Sequence, residues 1–400
     1  MTSAFSKKDD YKVELLTESD GFITFEIYSI IQDKQGFLWF GTDENGILRY
    51  DGQNVVNIEY DVSKANSLSH NNAGNLMLDR TGQIWIGTWG GGVNRYDPAT
   101  GTFTHFIHSE NKPNSISSNR VQTLYQDEQG TLWFGTYADG FNKYRDDTND
   151  FQHFKKSSST QSLSNNRVWD IIDESENELW IATSYGINLF NKKNNQFRQF
   201  IPEPQNTTTT GINEVRHLLK STSGQIYLGT QNGLLTFNRH TMSFQKLLLP
   251  NNNHIGKVYS LIEDQTGVVW AASDTGLYNL GLDNIPEQIK LPYNSGIRII
   301  YEDNTGILWA TSPIHGIYKI SRNKKFNSLT DKRLVSPNGI LVDNNGDVFI
   351  ASATSELLKW DVNQQELTSI IPGIFTKHSH SDYKSRQAVL PILAHNSTGT

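Results

Sequence analysis

The residues of this chain whose types could do chemistry recur at fixed intervals instead of gathering at one place. Asp33, Asp79 and Asp127 each stand three residues before a glycine and six before a tryptophan. Paired carboxylates suit general acid–base work. Yet catalysis needs one site, and acids hold this place seven times, with Glu174, Asp264, Asp303 and Asp343 completing the set. Repetition favours turns, where a carboxylate accepts backbone N–H bonds. Gly90-Gly91-Gly92 invites comparison with a phosphate-cradling loop. Such a loop needs a following Lys-Ser/Thr and a helix N-terminus, whereas Val93-Asn94-Arg95-Tyr96 continues as a strand. Asp343 to Asp347 is faintly similar to a calcium loop but lacks the remaining ligands at their spacing. The 11 histidines are scattered; His378 and His380 stand two apart, with no helix to set them as paired ligands. There is no G-x-S-x-G and no cysteine, which excludes disulfides, a thiol nucleophile and thiolate-bound zinc. The expectation is a chain with no catalytic residues, no metal and no cofactor.

Bulk properties narrow the class further. Of the 400 residues 36% are hydrophobic, with nine Trp, 16 Tyr and 19 Phe, a balance that suits packed β-sheets better than helix bundles. Net charge is −7 and no long Lys/Arg run occurs, so nucleic acid is not an expected partner, nor is direct contact with an anionic membrane. No segment approaches the roughly 20 apolar residues of a membrane helix, and "MTSAFSKKDD" holds no apolar signal core.

The elements that must position any site are repeats. Aligned on a glycine followed three residues later by an aromatic, the copies are Gly36/Trp39, Gly82/Trp85, Gly130/Trp133, Asn177/Trp180, Gly224/Tyr227, Gly267/Trp270, Gly306/Trp309 and Gly346/Phe349. The aromatic residues lie 46, 48, 47, 47, 43, 39 and 40 positions apart. Two residues past the aromatic stands a small residue, usually Gly or Ala, and next comes Thr or Ser in all eight copies. Each copy reads as four short strands. In the third, "VQTLYQD", "TLWFGT", "FNKYR" and "FQHFKK" are separated by "EQG", "YADG" and "DDTND". The second strand is apolar on both faces, as a strand between stacked sheets should be. Four-strand units of this period predict an all-β fold, a β-propeller of four-stranded antiparallel blades; a stacked β-solenoid is the alternative.

Both ends carry partial copies. "YKVELLTE", Tyr11 to Glu18, reads as a fourth strand without its first three, suited to closing a ring. "LPILAHNSTGT", Leu390 to Thr400, reads as the opening of a ninth copy, so the expectation is a fragment of a longer protein. The preferred division is an N-terminal segment with a ring-closing outer strand at 1–18, a seven-bladed propeller at 19–327, and the start of a second propeller at 328–400. An eight-bladed ring stays open.

In a propeller the turns after the second strand and the connectors before the first emerge together around the central channel. The residue before the first strand recurs there as Glu26, Asn72, Arg120, Arg167, Glu214, Lys257 and Gly296. The neighbouring turns add Asp43, Glu44, Trp89, Tyr137, Asp139, Tyr185, Asn232, Asp274 and His315. Aromatic faces stack on sugar C–H surfaces and Asp or Asn bind hydroxyls, so Trp89, Arg120, Tyr137, Asp139, Arg167 and Tyr185 are the candidate ligand-binding residues. Arg120 and Arg167, on adjacent blades, are suited to clasp a carboxylate or sulfate.

"GQIWIGTWGGGVNRYD", "GFLWFGTDENGILRYD" and "GTLWFGTYADGFNKYR", with the linkers "NSLSHNNAGNL", "NSISSNRVQTL" and "QSLSNNRVWDI", resemble the two-component regulator propeller repeat over essentially the whole chain. The sialidase Asp-box differs in its acid–glycine spacing, and only the eighth copy resembles the virginiamycin-lyase type. The resemblance implies the periplasmic sensor region of a bacterial inner-membrane protein. Two seven-bladed propellers would precede a β-sandwich, a membrane helix and a histidine kinase or diguanylate cyclase output. It also implies an oligosaccharide or similar polar ligand, bound on the rim or between propellers. The expected partners are that ligand and the second propeller and membrane-proximal domains of the same chain; a homodimer is compatible with this arrangement. A propeller lyase or glycosidase and a protein–protein scaffold are the competing readings.

Overall fold

Strands form here because each repeat alternates an apolar run with turn chemistry, and every apolar run is too short for a helix. The computed structural model describes residues 11–206, 211–281, 284–322, 337–342, 348–352, 357–361 and 366–371. The chain divides into two compact units, Met1–Asn323 and Lys324–Thr400. The boundary expected at 327/328 lies outside the described residues. So do the turn Asp343 to Asp347, His378, His380 and the ninth copy at Leu390 to Thr400.

Among the described residues the first unit holds seven four-stranded antiparallel sheets, with strands lettered A to D from the inside outward. Their A strands are Ile27–Gln32, Asn75–Leu78, Val121–Gln126, Val168–Ser175, Val215–Lys220, Val258–Glu263 and Ile299–Glu302. Each A strand packs against the next, and the seventh packs against the first, so the inner strands surround a common axis. In the seventh sheet the outer strand comes from the start of the chain. Tyr11–Leu16 pairs antiparallel with strand C, Gly316–Arg322, from Tyr11 opposite Arg322 to Leu16 opposite Ile317.

The recurring columns now have physical causes. One carboxylate oxygen of Asp33 accepts the N–H groups of Gln35 and Phe37, both at 3.0 Å, and shapes the A–B turn. The other accepts the Trp39 indole N–H at 2.8 Å. The same indole bond joins Trp85 to Asp79, Trp133 to Asp127, Trp180 to Glu174, Trp270 to Asp264 and Trp309 to Asp303. Buried indoles need such a partner. The Thr/Ser column closes the B–C turns: the Thr88 hydroxyl donates to the Gly92 carbonyl at 2.9 Å and accepts the Gly91 N–H at 2.9 Å. The triple glycine is therefore a hairpin turn. The small residue of strand B lets sheets stack, since a Cβ on Gly135 would meet Val168 of the next sheet at 2.7 Å. Aromatic side chains fill the space between sheets, as where Trp85 and Phe106 meet Phe134 and Phe151.

Connectors are held by a strand-C asparagine. Asn94 Oδ1 accepts the Ser69 N–H at 2.9 Å, and its amide donates to the Ser69 hydroxyl at 2.7 Å. Asn142 with Ser117 and Asn188 with Ser164 repeat this clamp. Between the clamps and the sheets, Leu68, Ile116 and Leu163 are fully buried.

The second unit has one described four-stranded sheet, Pro337–Val342, Val348–Ser352, Leu357–Asp361 and Glu366–Ile371, paired in sequence order. Ile350, Leu358 and Leu367 form its core.

Candidate functional site

Two local features build a site at the mouth of the first unit. The first is a hydrogen bond between connector and turn. The residue before strand A offers its carbonyl to the first residue of the B–C turn: Glu26 to Asp43, Asn72 to Trp89, Arg120 to Tyr137, Arg167 to Ser184, Glu214 to Gln231 and Lys257 to Asp274, at 2.9 to 3.1 Å. The second is a β-bulge near the start of strand A. In the fourth sheet Val168 faces Thr183 and Asp170 faces Ala182, which leaves Trp169 as an extra residue. The same shift frees Tyr28, Gln122, Arg216 and Tyr259. A bulge re-aims a side chain, and these five line a central cavity of about 680 Å³, joined by Arg298 from the seventh sheet. In the second sheet the corresponding residue is Gly74, where a Cβ would press on the Tyr28 Cβ at 3.1 Å and on its ring at 3.3 Å.

Cations and rings alternate around this mouth. Arg120 lies 5.7 Å from the Trp89 ring and 6.0 Å from that of Tyr137. Arg167 is sandwiched at 4.1 Å from Tyr137 and 4.0 Å from Trp169. Arg216 covers Trp169 at 4.1 Å. Lys257 lies 4.6 Å from Tyr259, and Arg298 bridges Tyr28 at 4.5 Å and Tyr259 at 5.7 Å. Trp89 and Tyr137 meet edge to face, with centroids 4.7 Å apart. Stacking of this kind holds a guanidinium flat while leaving its N–H edge available.

Acids are present but mostly committed. Glu214 forms a close ion pair with Arg216 at 2.5 Å, without hydrogen-bond alignment. Glu26 stands 3.6 Å from Arg298. Asp43 accepts from the Tyr28 hydroxyl at 3.4 Å and from Asn72, and Asp274 accepts the Lys257 backbone N–H at 2.8 Å. Asp170 accepts the Leu218 N–H at 2.8 Å, stapling adjacent inner strands, and lies 3.6 Å from His217 Nδ1.

Burial sets the protonation energetics. Desolvation lowers the pKa of Arg167, with Tyr137 and Glu214 opposing. Desolvation likewise lowers Arg216, opposed by Glu214 and reinforced by Arg167. Lys257 is lowered by desolvation and by the nearby Arg216 and Arg298, with Glu214 and Asp274 opposing. Desolvation raises the Asp170 carboxyl, with His217 and the hydrogen bonds from Leu218 and Ile171 opposing. These are the shifts expected of charges withdrawn from water.

Of the residues singled out from sequence, Trp89 and Arg167 line the cavity. Arg120 and Tyr137 stand on its rim, stacked with them, and Arg120 and Arg167 share the Tyr137 ring. Asp139 turns to Lys155 at 3.3 Å, and the Tyr185 hydroxyl points to the Pro204 carbonyl at 3.5 Å; neither lines the cavity. Sequence reasoning passed over Tyr28, Trp169, Arg216, Tyr259 and Arg298. Their signal was available: each lies two residues past the marked connector position. Among the described residues no cluster of three or more His, Asp or Glu forms a metal site.

An antiparallel four-stranded sheet repeated around an axis with a site at its mouth defines a β-propeller. Residues 26–44, 67–90 and 115–138 match the family model described as two component regulator propeller. No curated protein matches the chain in sequence. Among solved structures it is similar to the extracellular domain of a hybrid two component system from B. thetaiotaomicron, at 22% identity and TM-score 0.69, over 90% of this chain and 55% of that one. The chain thus spans about half of that relative's length. It is also similar to virginiamycin B lyase from Staphylococcus aureus, at 14% identity and TM-score 0.59, over 78% of this chain and 99% of the lyase. The WD40 propeller of Doa1 matches at 14% identity and TM-score 0.56, over 80% of this chain and 99% of that one. At these identities the structural likeness speaks for the fold alone.

Proposed function

We propose that this chain is the ligand-sensing part of a bacterial transmembrane signalling protein, lying in the periplasm. Residues 19–327 act as a seven-bladed sensor propeller and 328–400 begin a second. The observation that carries the reading is the alternating ring of stacked cations and aromatic faces about a roomy cavity in a propeller built from regulator repeats. Rings offer faces to pyranose C–H surfaces, and the remaining polar edges bind hydroxyls, a composition suited to an oligosaccharide. Signalling then requires that the ligand favour one of two arrangements of the whole protein, relayed to a kinase or cyclase output. This chain has no catalytic role in this scheme. No helix among the described residues is long and apolar enough to cross a membrane, so the relay belongs to segments other than these. Calorimetric titration with a panel of neutral and acidic oligosaccharides tests the reading. Binding by at least one member, lost in Trp89→Ala and Trp169→Ala variants that keep the parent melting temperature, is the expected result. Binding that survives both substitutions, or turnover of any member, overturns it.

A further inference from the structure

The aromatic part of the mouth explains how a neutral sugar would be held, but it leaves the cations without a task. Four of them stand on consecutive sheets: Arg167 on the fourth, Arg216 on the fifth, Lys257 on the sixth and Arg298 on the seventh, all lining the cavity. A chain with net charge −7 has concentrated positive charge on one wall. Burying like charges together is costly unless something compensates them. Internal compensation is incomplete. Among the described residues Arg167 and Lys257 have no carboxylate within ion-pair distance, and the Nε groups of Arg167 and Arg298 are buried without a hydrogen-bond partner. Glu214 pairs directly with Arg216 and reaches Arg167 and Lys257 only through space, Glu26 reaches Arg298 no closer than 3.6 Å, and Asp43 and Asp274 accept from Asn72 and from a backbone amide. Asp170 is held by the backbone of the next strand.

Geometry adds direction. The Trp169 indole lies against both Arg167 and Arg216, and Tyr137 closes the other side of Arg167. Arg167 therefore has a ring on each side and its N–H edges are left for a new partner, whereas Arg216 already donates its Nε–H to Gln231 at 3.0 Å and pairs with Glu214. A carboxylate or sulfate matches such edges, because planar guanidinium forks bind these oxyanions through paired N–H bonds. Burial first, and then the nearby Arg216 and Arg298, depress the Lys257 ammonium against the pull of Glu214 and Asp274, and a bound anion would relieve the repulsive part.

We infer that the cavity wall formed by Arg167, Arg216, Lys257 and Arg298 is an anion seat that selects an acidic ligand, one bearing a carboxylate or sulfate, over its neutral counterpart. The inference rests on the mouth being the ligand site, as proposed above, and adds the charge of the ligand. The neutral portion lies against Trp89 and Tyr28, and the acidic group enters the throat.

The test uses matched pairs that differ only in charge: a galacturonate trimer against its methyl ester, and a sulfated disaccharide against its desulfated form, with inorganic sulfate as a bare probe. Each is titrated into the whole chain, Arg167→Gln and Arg216→Gln, with melting temperature as the check on folding. The expected result is at least ~10-fold tighter binding of one acidic member than of its neutral partner. That preference should fall ~10-fold in each variant, the acidic ligand losing more affinity than its neutral partner. The preferred pair distinguishes carboxylate from sulfate. Equal affinity within both pairs, or an acidic preference untouched by both substitutions, overturns the anion seat and leaves the mouth site standing. Absence of binding by both acidic probes and sulfate overturns the seat. Loss of neutral and acidic binding alike across the wider panel removes the mouth site itself. If a substitution lowers the melting temperature, Arg167→Lys, which keeps the charge and loses the fork, serves in its place. It should weaken the acidic ligand more than the neutral one.

Discussion

Ser221 and Tyr227 show what the repeated acids are for. The fifth sheet is the one sheet of the first unit whose aromatic lacks an indole, and it is also the one without an acid; Tyr227 instead donates to Asn284 at 2.7 Å. The acid column therefore follows the indole N–H as well as the turn. Removing it strands a buried donor, at about 1–3 kcal/mol, and loses the turn bonds besides. Asp79→Ala should cost about 3 kcal/mol in urea denaturation, whereas Ser221→Ala should cost about 1 kcal/mol. Equal costs would show that the indole bond does not matter. Protonation behaves accordingly. Burial raises the Asp79 carboxyl, but the bonds from Thr81, Trp85 and Gln83 outweigh it and hold its pKa below 3.8. Its stabilisation is complete above that value and fades as pH falls through the lower folded value. Asp170 has the opposite sign. Its pKa is raised in the fold, so its contribution declines as pH climbs above 3.8 through the raised value. Asp170→Asn keeps an acceptor for the Leu218 N–H and removes that decline. The variant should gain stability relative to the parent as pH rises above about 4 through the raised folded value, and level off beyond it. A pH-independent difference would count against this account.

At the scale of the element, the strands were readable and their irregularities were not. Strand B of the third sheet, Leu132–Thr136, is wholly buried, as its run of apolar and small residues announces. The bulge that turns Trp169 inward leaves no mark of its own, because one extra residue looks like ordinary alternation until its partner strand is known. Arg167 stands at the connector position that the repeats mark, whereas Arg216, which stacks on the same Trp169 ring, lies two residues past the marked position of its own sheet. The connector clamps were hidden for a related reason. Asn142 and Ser117 lie 25 residues apart, and only the fold brings them to 2.9 Å. Asn142 is fully buried and also donates to the Phe134 carbonyl at 3.1 Å. Asn142→Ala should lower stability by about 2 kcal/mol, a buried side chain with several bonds being lost. Its connector, which carries Arg120, should also exchange its amide hydrogens faster at Ser117 than at Ser164, whose own clamp is untouched. Uniform exchange at the two serines would argue that the connectors are held by Ile116 and Leu163 alone.

For the whole first unit, the repeats predicted sheets around an axis, and the closure depends on one strand of six residues. Tyr11–Leu16 pairs along its length with Gly316–Arg322. Tyr11, Val13 and Leu15 pack against the cluster of Trp270 and Tyr318, and Tyr11 meets Trp270 edge to face at 5.4 Å. Leu16 packs with Phe22, Trp309 and Ile317. A ring closed this way ties its first residues to its last, so the A strands of the seventh and first sheets stay in contact around the cavity. Without the closing strand, Gly316–Arg322 becomes an open edge, a template for pairing with another chain. Burial of its four apolar side chains also disappears, at roughly 1.5–3 kcal/mol for each that is fully buried. These four are only partly buried, so a chain lacking residues 1–16 should lose about 4 kcal/mol and self-associate as concentration rises, detected by light scattering. Arg298 and Tyr28, on either side of the seam, should lose their stacking, so ligand binding at the mouth should weaken in parallel. A synthetic peptide of residues 11–16 added in excess should restore the monomer and the melting temperature by filling the edge. A truncated chain that stays monomeric and melts with the parent would mean that the stacked sheets hold the ring without their seam.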